Sequence, residues 1–451
     1  MTETRSESPG DAPKKMGLWM AMSLVMGNMV GSGVFLLPAS LAVFGGISVL
    51  GWIASTGGAL LLALVFARLS AVLPVTGGPY AYSRRGFGDF AGFLVAWGYW
   101  ISILTANAAI AVAFVGYLGT FIPGLATNPV ASVLTALTAI WTLTWVNAQG
   151  ARTVGSVQLI TTVLKFLPLL AIGTLGLLYL RPENFTPFNL SGGSTFGAIT
   201  ATAALTLWAF LGFESATVPA GHIENPERVI PRATVLGTLL TGLVYILSTV
   251  GVMGILAPMT LAESTAPFAD AATSIWGGWA GRAVAAGAVV SCLGALNGWI
   301  LLQGQVPFAA ARDGLFPRIF GRLSPKGLPT TGLVISSVLI TVLMATNYSQ
   351  GLVAFFTFMI LLATLSALIP YAFTAMAELM IYLREPEFFS GVRFGRAAVL
   401  SGLAFAYSIW AIGGAGRDTV FWGFLMLMCG IPVYVWIEWG ETKGTDGPPD
   451  A

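Results

Sequence analysis

The hydrophobic residues of this chain fall into long continuous runs separated by short polar stretches. Twelve runs are present, and each is near the roughly 20 residues that a helix needs to cross the hydrocarbon of a bilayer. They extend approximately over 17–44, 46–73, 87–122, 129–148, 152–180, 194–221, 231–257, 279–310, 330–347, 352–381, 395–414 and 418–439. Because the runs are continuous and do not alternate, they exclude a membrane β-barrel. The pattern predicts an all-α membrane protein with twelve transmembrane helices.

Composition removes most other classes of protein. Of 451 residues, 56% are hydrophobic and 9% are charged, whereas a soluble domain carries about 25% charged residues. The mean hydropathy of +0.82 argues against a soluble enzyme and a disordered protein. A net charge of only +2 gives no indication of the basic surface that binds nucleic acid. Two cysteines, one histidine and the lack of nucleotide-binding or zinc motifs predict no metal, no cofactor and no enzymatic activity.

The basic residues predict how the chain lies in the membrane. If the N-terminus is cytoplasmic, 17 of the 21 Lys and Arg residues lie inside, three lie outside, and Lys165 falls within a run. Both termini are therefore predicted to be cytoplasmic. Residues 1–15 are predicted to be a disordered N-terminus, residues 16–440 the membrane domain, and residues 441–451 a cytoplasmic tail.

Two runs carry helix-breaking residues at corresponding places. The first reads MGNMVGSGVFLLPAS and the sixth reads LTLWAFLGFESATVPAG. Each begins one of two five-run halves, about 16–185 and about 190–390, which leaves two further helices over about 391–440. Paired interruptions of this kind indicate a transporter with an inverted repeat, discontinuous helices 1 and 6, and a site at the membrane midplane. Gly27 and Gly31 alone would favour a helix-packing face, and the matching break in the sixth run reverses that preference.

A broken membrane helix suits a zwitterionic ligand. Freed N–H and C=O groups persist at membrane depth only where they line a cavity or meet a ligand. The N–H groups at the start of the second half-helix attract a carboxylate, and the carbonyls that end the first half-helix attract an ammonium. Glycine at 31 and 33 leaves room for that approach.

Two ionisable residues lie within predicted spans. Glu214 is a candidate proton carrier or attractor of a cationic substrate, and the alternative is a protonated structural carboxyl. Lys165 is a candidate for the place that a coupling sodium ion would take, with its ammonium facing the freed carbonyls of the first run. Its alternative role is to snorkel to an interface.

Several aromatic and polar residues also lie inside runs. Trp208 and Trp299 sit near the middle of their runs, away from the headgroup belt where tryptophan is usual. An indole face can stack on a cation, and core packing is the equal alternative. Tyr99, Asn107 and Tyr371 could bond a substrate or brace a gate, although such residues more often join helices.

Four segments of the sequence resemble a known family. The segments GNMVGSGVFLLPASLAVFGG, GGPYAYSRR, LWAFLGFESATVPAGHIENPERVIPRAT and CLGALNGWILLQGQ…AARDGLFP are similar to the amino acid–polyamine–organocation transporters. The nearest branch is the bacterial arginine/agmatine antiporters, with the lysine/cadaverine and ornithine/putrescine exchangers nearby. The resemblance implies a LeuT-like fold of twelve helices with a five-plus-five inverted repeat, alternating access and a homodimer.

The resemblance also implies where the substrate would bind. Its carboxylate would lie on the backbone around Ser32 and Gly33, and its α-amino group would meet the carbonyls of Met29, Trp208 and Leu211.

Further residues acquire roles in the same way. Trp299 would stack on the substrate side chain, and Asn107 would lie near the distal end of that side chain. Trp208 would close the outer side. The inner gate would consist of Tyr99, Glu214 and Tyr371. Tyr80 would lie deeper on the route toward the cytoplasm.

Some positions depart from the arginine/agmatine pattern. Ala209 and Ala363 replace serines, Ile103 replaces a cysteine, Ile110 replaces a methionine, and Lys165 has no counterpart in that branch. The leading prediction is an antiporter of the bacterial inner membrane that exchanges arginine for agmatine. The alternative is a proton-coupled or exchange permease for neutral or broad-range amino acids, which the apolar replacements favour.

Overall fold

Helices make up almost the whole of the polypeptide. The computed structural model describes residues 16–31, 33–73, 78–149, 165–217, 223–347, 351–389 and 392–445. The α-helices in chain order are α1 (Leu18–Met29), α2 (Gly33–Ala42), α3 (Ser48–Val72), α4 (Pro79–Phe87), α5 (Asp89–Leu118), α6 (Gly124–Thr127), α7 (Pro129–Gln149), α8 (Lys165–Tyr179), α9 (Thr195–Leu207), α10 (Pro226–Ile255), α11 (Pro258–Glu263), α12 (Pro267–Trp276), α13 (Gly278–Arg312), α14 (Thr330–Asn347), α15 (Leu352–Arg384), α16 (Phe394–Gly414), α17 (Arg417–Met428) and α18 (Gly430–Thr445). Short 3₁₀ segments lie at Gly45–Ile47, Pro182–Phe185, Trp208–Phe210, Phe213–Thr217, Arg318–Gly321 and Pro386–Phe389, and one closes α8. Within the described ranges, β-structure is limited to an isolated bridge between Met16 and Ile223.

The apolar runs form the membrane spans. Over the described residues, nine helices are long and apolar enough to cross a bilayer, and a tenth is added if α1 and α2 are one bent span. The two remaining runs hold shorter apolar helices, α8 and α14. The protein is therefore a helical multi-pass membrane protein, and the count of twelve crossings stays a prediction. The predicted N-terminal segment 1–15 and the last residues of the predicted tail, 446–451, lie outside the described ranges.

Helix α5 forms the centre of the molecule. Its most apolar window is 94% buried, as expected for a helix that is hydrophobic on every side. It packs against α13 and α15. By contrast, only 28% of the corresponding window of α7 is buried, so one face of that helix is left for lipid.

Besides the four-residue helix α6, three helices lie in stretches where the hydrophobic runs predicted only connections. These are α4, α11 and α12. Helix α4 is polar overall and carries Arg84 and Arg85 in its last turn, so it gives no long apolar signal. Each begins with a proline in its first turn, a position where proline is well tolerated because that N–H has no helical partner.

The first run is interrupted between α1 and α2. The two helices are bent by 40° across a break of three residues, of which Ser32 lies outside the described residues. The Gly31 N–H donates to the Met29 carbonyl at 2.8 Å instead of continuing the helical ladder to Gly27. The Gly27 carbonyl is thereby released from α1.

The sixth run also leaves the α-helix partway along its length. After α9 ends at Leu207, a 3₁₀ turn follows, Leu211 is extended, and Gly212 has a φ of +105°. Only glycine adopts that backbone without strain. A Cβ on Gly212 would lie 3.3 Å from the Asn28 carbonyl carbon, so the two interrupted runs approach each other backbone to backbone.

A buried ion pair joins three helices near one end of the bundle. Arg68 on α3 binds both carboxylate oxygens of Glu378 on α15, with Nη2 to Oε2 at 2.8 Å. The Ser401 hydroxyl on α16 donates to the same carboxylate. The Glu378 side chain is fully buried and that of Arg68 is 17% exposed.

We predict that Arg68→Met lowers the midpoint of thermal unfolding in detergent. Removing one partner leaves the other charge buried and unpaired, which costs about 3 kcal/mol. The double variant Arg68→Met/Glu378→Met, which removes both charges, is expected to recover most of the loss. Asp89→Asn breaks the exposed Arg84–Asp89 pair and serves as the control, since such pairs contribute at most about 1 kcal/mol. Equal melting of Arg68→Met and Asp89→Asn would contradict this interpretation.

Candidate functional site

A small cavity of about 10 Å³, enough room for a single water molecule, lies where the two interrupted runs meet. Residues from the α1–α2 break, the unwound sixth run, α5 and α13 surround it. Its lining residues are Asn28, Met29, Gly31, Gly33, Ile110, Trp208, Ala209, Leu211 and Trp299. Residues of both interrupted backbones and two indoles therefore meet around a single small space. That combination suits a small zwitterion with a flat or cationic side chain.

Trp208 covers the start of α2. A Cβ added to Gly33 would lie 2.5 Å from the Trp208 Nε1 atom, so the indole rests on a surface that only glycine leaves open. Trp208 and Trp299 are each 5% exposed. Both therefore restrict the cavity in this conformation to a volume far below the roughly 300–1,000 Å³ of most ligand pockets.

The carbonyls predicted to meet an α-amino group are partly engaged. The Met29 carbonyl accepts the Gly31 N–H at 2.8 Å, and the Trp208 carbonyl accepts the Leu211 N–H at 3.1 Å. Each carbonyl has a second lone pair. Met29 and Trp208 thus keep the capacity to accept from an ammonium.

Lys165 is fully buried and reaches the first run. Its ammonium nitrogen donates to the Gly27 carbonyl at 3.1 Å. This is the carbonyl that the turn at Gly31 releases from the helix. The expected contact between the Lys165 cation and the freed backbone is therefore present, and the ammonium does not reach an interface.

The three residues predicted for the inner gate lie together. Both oxygens of the buried Glu214 carboxylate accept hydrogen bonds, Oε1 from the Tyr99 hydroxyl at 2.5 Å and Oε2 from the Gly212 N–H at 3.1 Å. The Tyr371 ring packs on Phe213, with centroids 5.0 Å apart, and its hydroxyl is buried without a hydrogen bond of standard geometry within the described chain. Glu214 thus ties α5 to the unwound part of the sixth run.

Tyr80 belongs to a different cluster. Its hydroxyl donates to the Asp313 carboxylate at 3.1 Å, and Arg84 lies 3.7 Å from the same carboxylate. Burial, followed by the Asp313 charge, raises the pKa of the Tyr80 phenol well above its usual range, so the phenol stays a donor at neutral pH. This cluster connects α4 with the end of α13.

Asn107 stands one helical turn from the cavity-lining Ile110 and is fully buried. It does not line the cavity itself, and its amide nitrogen donates to Gln303 on α13 at 2.8 Å.

The structure therefore brings most of the predicted site residues into two neighbouring groups, the cavity and the gate. Ser32 lies outside the described residues. Asn107 and Lys165 do not line the cavity, and Tyr80 lies apart. Asn28, Gln303 and Asp313 were not predicted from the sequence. Gln303 could have been found from the sequence, because it is a polar residue within the apolar run 279–310.

Two of the positions that differ from the arginine/agmatine pattern lie at the cavity. Ala209 and Ile110 line it, and both add apolar surface. Ile103 and Ala363 are buried and do not line it.

Comparison with known proteins fits this geometry. Residues 16–433 match the family model described as amino acid permease. The chain is 40% identical over 335 residues to a cadaverine/lysine antiporter of Escherichia coli K12. The alignment covers 73% of this chain and 74% of that protein. It is 33% identical over 424 residues to the putrescine transporter PotE of the same organism, covering 93% and 95%. A PotE protein of Haemophilus influenzae is 32% identical over 429 residues, covering 94% and 97%.

The match spans both interrupted runs, the cavity between them and the gate around Glu214. The chain therefore belongs to the amino acid permease family, among the amino acid–polyamine–organocation transporters, and is a membrane transporter rather than an enzyme.

Proposed function

We propose that this protein is an antiporter that exchanges a cationic amino acid for the amine made from it by decarboxylation. Arginine with agmatine is the pair predicted from the sequence, and the relatives add lysine with cadaverine as a second pair. The single observation that carries the proposal is the small cavity between two broken runs, which is lined by residues of both breaks and by Trp299.

Each part of such a substrate has a counterpart in the cavity. A carboxylate suits the N–H groups at the start of α2 near Gly33. An α-ammonium suits the carbonyls of Met29, Trp208 and Leu211. The side-chain cation suits the indole face of Trp299. A decarboxylated amine keeps the last two contacts, so one site serves both partners in turn.

Alternating access follows from the two layers that close the cavity. Trp208 is proposed to close the outer side, and Tyr99, Glu214 and Tyr371 are proposed to close the inner side. Tyr80 with Asp313 would form a further closure toward the cytoplasm. The distribution of basic residues supports cytoplasmic termini in a bacterial inner membrane. The five-plus-five repeat and a homodimer remain part of this proposal.

Lys165 supports exchange without sodium. Its ammonium already occupies the space next to the released Gly27 carbonyl, where a coupling cation would need oxygen ligands. A fixed charge at that point removes the need for a bound ion, and it would repel one.

A second candidate function is a permease for neutral or broad-range amino acids. The observation that favours it is the apolar lining contributed by Ile110 and Ala209. Under this alternative, the backbone contacts stay the same and the side-chain pocket does not require a cation.

Counterflow in proteoliposomes is the direct test. We predict that vesicles loaded with arginine, agmatine, lysine or cadaverine take up labelled arginine or lysine, and that empty vesicles do not. Replacement of external sodium by choline is expected to leave the rate unchanged. Alanine-for-alanine exchange, with no uptake of either cationic amino acid under any loading, would replace the leading proposal by the neutral permease.

We predict that Glu214→Gln flattens the pH dependence of exchange. In the carboxylate form Glu214 accepts from two donors, Tyr99 and Gly212. Protonation converts one oxygen into a donor, so at least one of these bonds must be remade and the gate loosens. Exchange by the natural protein should therefore rise as the pH falls, and the glutamine variant, whose amide carries a donor at every pH, should not respond.

The measurement is initial counterflow rate over a pH series, with the same pH on both sides of the vesicle. Tyr99→Phe, which removes one donor and keeps the carboxyl, is expected to retain a pH response. Identical profiles for Glu214→Gln and the natural protein would remove Glu214 from the proton-linked role.

We predict that Trp299→Ala weakens the binding of cationic substrates by roughly 10-fold or more, because a desolvated cation–π contact contributes about 2 kcal/mol. Binding is measured by calorimetry on the purified protein. Trp145→Ala, on the lipid-facing side of α7 where the ring is 63% exposed, is the matched control. An unchanged affinity in Trp299→Ala would exclude the stacking role.

A further inference from the structure

A chain of buried amides and hydroxyls runs from α5 through α13 to α14 and α7. The Asn107 Nδ2 atom donates to Gln303 Oε1 at 2.8 Å, and Gln303 Nε2 donates to Ser337 Oγ at 2.8 Å and to the Leu333 carbonyl at 3.2 Å. Ser337 Oγ lies 2.7 Å from Thr144 Oγ1, which donates to the Ile140 carbonyl at 2.8 Å. All four of these side chains are at most 2% exposed.

The direction of every bond in this chain is fixed by its ends. The carbonyls of Leu333 and Ile140 can only accept. Gln303 must therefore turn its NH₂ group to Leu333, and Thr144 must donate its one proton to Ile140. It follows that Ser337 donates to Thr144 and accepts from Gln303.

The same logic fixes the Asn107 amide. With its NH₂ group committed to Leu333 and Ser337, Gln303 presents only its oxygen to α5. Asn107 must therefore donate from its own NH₂ group, because a reversed Asn107 amide would place two oxygens in contact. Its Oδ1 atom is then left as a buried acceptor that has no partner among the described residues.

The backbone of α13 holds Gln303 in place as well. Pro307 stands four residues further along and has no N–H, so the Gln303 carbonyl lacks its helical donor. The Ser336 hydroxyl on α14 supplies one at 3.1 Å, and the Trp100 indole N–H donates to that hydroxyl at 2.9 Å. Both ends of Gln303 are thereby anchored.

The unpaired acceptor lies beside the candidate substrate cavity. Asn107 is one turn from Ile110 on α5, and Gln303 is one turn from Trp299 on α13; Ile110 and Trp299 both line the cavity. The Asn107–Gln303 pair therefore forms the next layer beyond the ring of Trp299. A buried acceptor without a donor is costly, and a ligand that brings only donors would satisfy it.

We propose that Gln303 is a positioning residue that holds Asn107 as an obligate acceptor, and so selects substrates whose side chain ends in an ammonium or guanidinium group. This inference rests on the proposed function, since it assigns the specificity of that site. The ammonium of lysine and the guanidinium of arginine carry donors only. A side chain that ends in a carbonyl or carboxylate oxygen would face the Asn107 oxygen with another acceptor, and an apolar end would leave it unpaired.

The test compares lysine with norleucine, which has the same chain length and lacks the terminal ammonium. Binding of each is measured by calorimetry on the purified full-length protein. Gln303→Met keeps a similar volume and frees the Asn107 amide to turn. We expect this variant to lose roughly 10-fold of the preference for lysine over norleucine, about 1.4 kcal/mol, because a hydrogen bond to a charged group is lost.

Three further variants separate positioning from a general packing effect. Asn107→Ala should lose a similar preference, and the double variant should lose no more than either single one, since both act through one oxygen. Gln303→Glu should retain the preference, because a protonated glutamic acid still donates to Leu333 and accepts from Asn107, and loses only the bond to Ser337. Thr138→Val, on the exposed face of α7, is the control and should match the natural protein.

The outcomes are distinct. If the natural protein binds neither arginine nor lysine more tightly than norleucine, the proposed function fails. If it prefers lysine and Gln303→Met keeps that preference, or weakens both ligands equally, the positioning role of Gln303 is overturned while the proposed function stands. Should Gln303→Met not yield folded protein, Gln303→Glu decides alone: retained preference supports the inference, and loss to the level of Asn107→Ala contradicts it.

Discussion

The structure depends on how backbone polar groups are satisfied where helices stop inside the membrane. Hydrocarbon offers no hydrogen bonds, so each freed peptide group needs a partner from the protein or from a ligand. At the first break the Gly31 N–H turns to Met29 and the released Gly27 carbonyl takes the Lys165 ammonium. At the second break the Gly212 N–H takes the Glu214 carboxylate. The ionisable residues of the interior thus compensate for the interruptions that create the cavity.

Much of this arrangement could be predicted from the sequence because its signals are local. Apolar runs of span length, the glycines around Gly31 and Gly212, and lone ionisable residues at 165 and 214 each stand out against their neighbours. The partners of these residues could not be predicted in the same way. Asn107 and Gln303 are 196 positions apart, and nothing in either helix indicates that it neighbours the other. Helices α4 and α12 were missed because they are short and contribute no apolar run of span length.

Rigid and adjustable regions of the site differ in their bonding. The layer around Asn107 and Gln303 is fixed by bonds to backbone carbonyls on two other helices, so its geometry is insensitive to which ligand is present. The layer around Glu214 joins one continuous helix to an unwound segment, and unwound backbone changes its torsions at low cost. Recognition and movement are thereby assigned to different elements, and a substitution in one layer need not disturb the other.

The Arg68–Glu378 pair also bears on how the chain is made. Its partners are 310 residues apart, and at a synthesis rate of roughly 5–20 residues per second the arginine is complete roughly 15–60 s before its carboxylate. During that interval the guanidinium has to be accommodated at the bilayer without its final counter-ion. Arg68 lies four residues from the end of α3, where its long side chain can extend to the headgroups. The same pair at the midplane would leave an uncompensated charge in the lipid while the ribosome finished the chain, so the depth of this bridge is compatible with insertion in the order of translation.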